Sequence, residues 1–183
     1  MEKRFADPKT ALEAALSPAT SEADLRVLAS AAWNFVRDAV ATNPSTPPDV
    51  LTALVPKALV LEDDFRIAGS LLQNTASPRE IIVHIARLAE SVIPQFQPRN
   101  YYPRRLFEAL ASNPLADVDV LATFLDPACS PTHLRKWMAR LSMHHDVLCH
   151  LASDRSETVR KRATKRLGWN TSSIQGNGPT EYQ

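Results

Sequence analysis

The stretch FVRDAVATNPSTPPDVLTALV, residues 35–55, sets two apolar-rich runs either side of a knot of three prolines. Within each run the apolar residues fall three or four apart, the spacing of one helix face. Asn43 stands before Pro44, and a residue preceding proline is pushed out of the α region, so the first helix has to stop there. Thr46 suits an N-cap, Pro47 the first helical position and Asp49 the first turn. A carboxylate there complements the helix dipole by about 0.3–1 kcal/mol. The stretch reads as one helix ended and an antiparallel partner begun, with almost no loop.

The arrangement recurs. RIAGSLLQNTASPREIIVHIA (66–86) and RLFEALASNPLADVDVLATFL (105–125) align with 35–55 on Asn43, Asn74 and Asn113. Val36, Ile67 and Leu106 superimpose, as do Val40, Leu71 and Leu110. Beyond the break Leu51, Ile82 and Leu121 match, then Leu54, Ile85 and Phe124. Ser77-Pro78-Arg79-Glu80 and Ser21-Glu22-Ala23-Asp24 read as capping boxes. The flanks are degenerate copies: ALEAALSPATSEADLRVLAS (11–30) and HLRKWMARLSMHHDVLCHLAS (133–153). A last helix, SETVRKRATKRLG (156–168), places Val159, Ala163 and Leu167 on one stripe, with Asp154 or Ser156 as its cap.

Repeat units of about 8–32, 33–62, 63–92, 103–127 and 131–167 follow, in one domain spanning 1–167. Asn43 and Asn74 lie 31 residues apart, Asn74 and Asn113 39. The extra length falls in SVIPQFQPRNYYPR (91–104), which is expected to form an irregular loop over 93–104. Residues 168–183 are expected to form a flexible tail. With fourteen prolines and four glycines, only one glycine before residue 168, the chain punctuates itself with a residue that starts and stops helices but spoils central strands. One such hairpin cannot bury its apolar stripes alone, whereas stacked copies seal each other. The expected fold is all-α: a short right-handed α-solenoid of stacked antiparallel helix pairs, with roughly nine to eleven helices.

The formal net charge is +1, which argues against an unfocused attraction to nucleic acid or anionic membrane. The charge is uneven: residues 1–98 carry nine Lys/Arg against twelve Asp/Glu, and 99–183 twelve against eight. The charged start MEKRFADPK has no apolar signal core, and no apolar run approaches the roughly 18 residues of a membrane span. Two cysteines, Cys129 and Cys149, make no disulfide framework, so the expectation is a reduced, cytoplasmic protein without membrane association.

The pattern Val36-Arg37, Ala41, Asn43-Pro44, Thr46-Pro47 and Leu51…Leu54 resembles the leucine-rich repeat variant, a bacterial α-helical relative of HEAT and armadillo repeats. The resemblance is good at 35–55 and fair at 66–86 and 105–125. The repeats here are longer than the family's usual unit, and QNTASP lacks the proline after Asn74. The resemblance implies an interaction scaffold and supplies no catalytic residue. A member of that family with an iron–sulfur cluster would show a cysteine cluster, which this chain lacks.

No phosphate loop, nucleophile elbow or dinucleotide fingerprint is present. Cys129, His133, Cys149 and His150 have spacings that can share a helix face, but paired zinc-type spacing is missing, and Cys149 between Leu148 and Leu151 reads as a small buried residue. No metal site or cofactor is therefore assigned. Glu62-Asp63-Asp64 reads as helix capping. The segment FQPRNYYPRR supplies partner-contact candidates Arg99, Tyr101, Tyr102, Arg104 and Arg105, types enriched in binding hot spots. Arg135, Lys136, Arg140, Arg160, Lys161 and Lys165 read either as a solvated cap or as a phosphate-binding face. The HEAT-like DNA glycosylases, which bind DNA on a basic concave face, offer a fold-level analogy for the latter. The expected function is a non-enzymatic scaffold that binds another protein, with nucleic-acid binding through the C-terminal helices as the alternative.

Overall fold

The computed structural model describes residues 5–97, 99 and 101–175, with side chains through Gly168. Among these residues there are eleven α-helices and no strand: α1 (Pro8–Leu16), α2 (Glu22–Ala29), α3 (Asn34–Thr42), α4 (Pro48–Ala53), α5 (Glu62–Gln73), α6 (Arg79–Glu90), α7 (Tyr101–Ser112), α8 (Val118–Leu125), α9 (Thr132–Leu141), α10 (His145–Ala152) and α11 (Glu157–Gln175). No described helix is long and apolar enough to cross a membrane.

The helices pack in a regular order. Each odd-numbered helix lies on the next odd-numbered one: α1 on α3, α3 on α5, α5 on α7, α7 on α9 and α9 on α11. Among the even-numbered helices α2 packs on α4, α6 on α8 and α8 on α10. Every aligned stripe position from Val36 to Phe124 is buried, and one continuous apolar cluster runs from Phe5 to Ala163.

The asparagines that set the sequence register close each odd-numbered helix from α3 to α7. Asn43, Asn74 and Asn113 are the residues after α3, α5 and α7, and all three are buried. The Asn43 amide Nδ2 donates to the carbonyls of Ala15 and Ser17, both at 2.8 Å, at the end of α1. Asn74 Nδ2 donates to Ala41 (2.8 Å) and Asn43 (2.9 Å), at the end of α3. Asn113 Nδ2 donates to Leu72 at 2.6 Å, at the end of α5. Each Oδ1 accepts the amide two residues on, from Ser45, Ala76 and Leu115. One neutral side chain thus follows its own helix and donates to carbonyls at the end of the previous odd-numbered helix.

Three local expectations are corrected. Thr46 and Ser77 do not cap the helices that follow. α4 and α6 begin one residue later than expected, behind Pro47 and Pro78, which have no capping side chain. The two hydroxyls instead turn back to the carbonyls of Val40 and Leu71, each at 2.6 Å. These two hydrogen bonds are buried, whereas the exposed first turns of α4 and α6 can bond water. Ser21 does cap α2, accepting from the Asp24 amide, and Asp64 accepts from the Leu61 and Val60 amides at the start of α5.

The loop expected over 93–104 is shorter than that. A 3-10 turn occupies Ile93–Gln95, Phe96 is buried, and α7 already runs from Tyr101. The Phe96 ring lies edge-on to Phe107 at 5.0 Å and stacks on His133 at 5.3 Å, while His133 Nε2 reaches the Phe96 carbonyl at 3.0 Å. The tail expected from Gly168 is likewise helical as far as Gln175. A glycine ends a helix by adopting positive φ, and Gly168 does not. Residues 176–183 of that expected tail lie outside the described residues.

Candidate functional site

The odd-numbered helices present a mixed polar and aromatic surface where α3, α5 and α7 meet. Its frame is a set of side chains that tie α3 to α5. The Arg66 guanidinium pairs with Asp38 at 2.9 Å, and the Ser70 hydroxyl donates to the other Asp38 oxygen at 2.6 Å. Asn34 donates to Asp63, and Arg66 lies 3.5 Å from the same carboxylate. The hydrogen bond that Arg66 donates to Asp38, with the Asp38 charge, holds the guanidinium above its ordinary range despite partial burial. All of these residues are spaced three or four apart on their own helices, so they share the faces that meet.

The first turn of α7 supplies the other wall. Tyr102 donates to Glu62 on α5, and this hydrogen bond, together with burial and the Glu62 charge, pushes its phenol up. The Tyr101 ring is 55% exposed, lies edge-on to Tyr102 at 5.2 Å, and carries the Arg104 and Arg105 guanidinia 5.8 and 5.9 Å from its centroid. Between the walls is a cleft of about 150 Å³ whose lining includes Asp38, Gly69, Gln73, Tyr102 and Arg105. Four of the five partner-contact candidates therefore lie on the start of a helix, where tertiary packing fixes their positions. Arg99 is exposed in the turn before it.

The basic candidates do not form one surface. Arg135 is 0% exposed: its Nε and Nη2 donate to the Asp154 carboxylate at 2.6 and 3.2 Å, and Nη1 donates to the Ser130 carbonyl. That removes Arg135 from any external phosphate-binding set. The sequence carried a signal for this, since Arg135 stands three and four residues before Met138 and Ala139 on the buried stripe of α9. Burial pushes the Asp154 carboxyl up, but Arg135 and the Ser156 amide outweigh it and hold the group below the usual carboxylate range. Lys136 and Arg140 are exposed on α9, with Arg140 5.3 Å over the Trp137 ring. Arg160, Lys161 and Lys165 share an open hollow of about 530 Å³ between α10 and α11. There Arg160 donates to the Asp154 and Arg155 carbonyls, and Lys161 pairs with Glu157 at 2.6 Å.

The cysteine and histidine set disperses. Cys149 is exposed, not buried as expected, because the inward stripe of α10 is Val147, Leu148 and Leu151. Cys129 is also exposed, 3.5 Å from Asp126, whose hydrogen bond pushes the thiol up. His133 faces Phe96, and His144 Nε2 lies 3.3 Å from the Asn113 carbonyl. Among the described residues no three His, Cys, Asp or Glu side chains are grouped to hold a metal ion. The role of Asn43, Asn74 and Asn113 across the pairs was not readable from sequence, because their acceptors lie 26 to 41 residues earlier and are backbone groups common to every residue type. No family model matches the chain, and no curated protein or solved structure is significantly similar to it.

Proposed function

We propose that the chain is a short right-handed α-solenoid of antiparallel helix pairs, HEAT- or armadillo-like, that binds another protein along its odd-numbered helices. The packing of each odd-numbered helix on the next, bridged by a buried asparagine at successive boundaries, carries this reading. Such an array buries its stripes in series and leaves a long side-chain surface, the form in which repeat proteins recognise partners. Tyr101, Arg105 and the cleft beside them lie at the middle of that surface, and their residue types are those that anchor interfaces. The reading is of a scaffold without catalysis of its own. Chemical crosslinking of the full chain in cell extract tests it. Crosslinks from α3, α5 and α7 to a polypeptide, lost on Tyr101→Ala, are expected. Turnover of a substrate with no polypeptide crosslinked to those helices would contradict the reading.

A second reading, nucleic-acid binding, is favoured by the hollow that brings Arg160, Lys161 and Lys165 together. It takes second place because Arg135 is internal and Arg160 and Lys161 already have protein partners. Affinity for single- or double-stranded DNA that falls steeply with salt and drops on Lys161→Glu would support it; salt-insensitive or absent binding would remove it.

A further inference from the structure

The odd-numbered helices change character along the array. On α5 and α7 the cations have carboxylates: Arg66 pairs with Asp38 at 2.9 Å, and Arg104 and Arg105 lie 3.8 and 3.7 Å from Glu108. α9, by contrast, contains no acidic residue. With Arg135 internal, its outward cations are Lys136 and Arg140, both exposed. Among the described residues neither side chain has a carboxylate within ion-pair distance or a hydrogen bond.

α11 extends this surface. Val159 and Ala163 face inward, while Arg160, Lys161, Thr164 and Lys165 line the hollow towards α10. Arg162 and Arg166, one turn apart, fall on the other flank of the buried stripe. That flank is the α9 side, because Arg166 donates to the Ser142 carbonyl directly after α9. Arg162 is exposed and has no side-chain partner among the described residues. Lys136, Arg140 and Arg162 thus lie on one side of two helices that pack on each other. The neighbouring acids do not reverse the sign. Glu108, the one acid on α7, faces two guanidinia, and Glu157, the one acid on α11, pairs with Lys161.

Unpaired, solvated cations on one side of the array attract an anion, and the rest of the surface decides which. Single nucleic-acid strands are held by cations together with open aromatic faces on which bases stack. The indole on this side of α9, Trp137, is half-buried and has the Arg140 guanidinium 5.3 Å over it, so it offers a base no open face. Carboxylates need no ring, since two oxygens match the N–H fork of one guanidinium.

We infer that the α9–α11 side of the odd-numbered helices holds an acidic segment of a protein partner, its carboxylates paired with Lys136, Arg140 and Arg162. This rests on the protein-binding reading and supplies the partner's chemistry at that end of the array.

The test titrates a fluorescently labelled pool of random peptides, rich in Asp and Glu, with the full chain and reads anisotropy. A basic pool and a thymidine oligonucleotide serve as comparisons. Two double variants change the net charge equally: Lys136→Glu with Arg162→Glu on the α9 side, and Lys161→Glu with Lys165→Glu in the α10–α11 hollow. All four positions are exposed, so both variants are expected to keep the thermal midpoint of the natural chain. The acidic pool is expected to bind the natural chain best. It should lose about tenfold in affinity or more with the α9-side variant, and several-fold less with the hollow variant. Equal losses with both variants would mean attraction to overall charge and would overturn the inference. Tighter binding of the oligonucleotide, lost with the α9-side variant, would give the surface to nucleic acid and overturn it as well. Failure of the acidic pool to bind the natural chain also overturns it, and the scaffold reading is then judged separately, by whether a polypeptide crosslinks to α3, α5 and α7.

Discussion

The two ends of the helix array meet one need in different ways. At the boundaries from α1 to α7, carbonyls at a helix end accept from a buried neutral amide, of Asn43, Asn74 or Asn113. Beyond α8 that asparagine is gone. Ser142 stands after α9 in its place; its Oγ accepts the His144 amide two residues on, as the asparagine oxygens do. A serine is too short to reach the previous odd-numbered helix as the asparagines do. The Asn113 carbonyl is therefore met by the His144 ring, and the Ser142 carbonyl by Arg166 at 3.3 Å. The buried polar group here is an ion pair, Arg135 with Asp154. The amide clamps carry no charge to desolvate and no titrating group. The C-terminal end uses groups that answer to pH and tolerate loss of a partner poorly. The chain's positive half is thus partly internal bracing, not an external field.

The largest effect is expected where the charges are buried. Arg135→Met leaves the Asp154 carboxylate buried without its partner and should cost about 3–5 kcal/mol in denaturant unfolding. Replacing both, Arg135→Met with Asp154→Leu, should recover most of that; if it does not, the pair is more than bracing. The same carboxyl gives an acid response. Its folded pKa lies below the ordinary value, so the unfolded chain takes up the proton first. The contribution is complete above about pH 4 and is lost as pH falls through the folded value. Asp154→Asn should flatten this part of the stability curve in acid titration, and an unchanged slope would break the contrast between the two ends.

Asn74→Ala comes next. It strips the buried Ala41 and Asn43 carbonyls of a donor and should cost about 3 kcal/mol, with no change in acid sensitivity. His144→Ala should cost least, about 1 kcal/mol, because the ring is half-buried and water can replace it at Asn113. Equal costs for Asn74→Ala and His144→Ala in thermal unfolding would show that the two links are equivalent.

The asparagine register and the apolar stripes were legible because they depend on local spacing. Leu51, Ile82 and Leu121 are fully buried, as their period-matched positions imply. What was not legible depends on distant backbone or on the balance between solvated and buried donors. Thr46 and Ser77 look like N-caps by every local rule, yet their hydroxyls serve buried carbonyls six residues back, since exposed helix starts can bond water. Tyr101 and Tyr102 belong to α7 and not to a loop, and the Phe96 ring before them packs against Phe107 and His133. Tyr101, Tyr102 and Arg105 were named as candidates from residue type alone. Gly69, Gln73 and Asp38 completed the cleft only once α3, α5 and α7 were side by side.

Side-chain amide exchange reads the asparagine clamps directly. Proton exchange at Nδ2 of Asn43, Asn74 and Asn113 can be followed by heteronuclear NMR, with the exposed Gln73 amide as the internal reference. Strong protection of all three asparagine amides relative to Gln73, lifting only with global unfolding, is the predicted result. Exchange at Asn43 or Asn74 as fast as at Gln73 would mean that successive odd-numbered helices are not joined there, and the proposed stacking would lose its support.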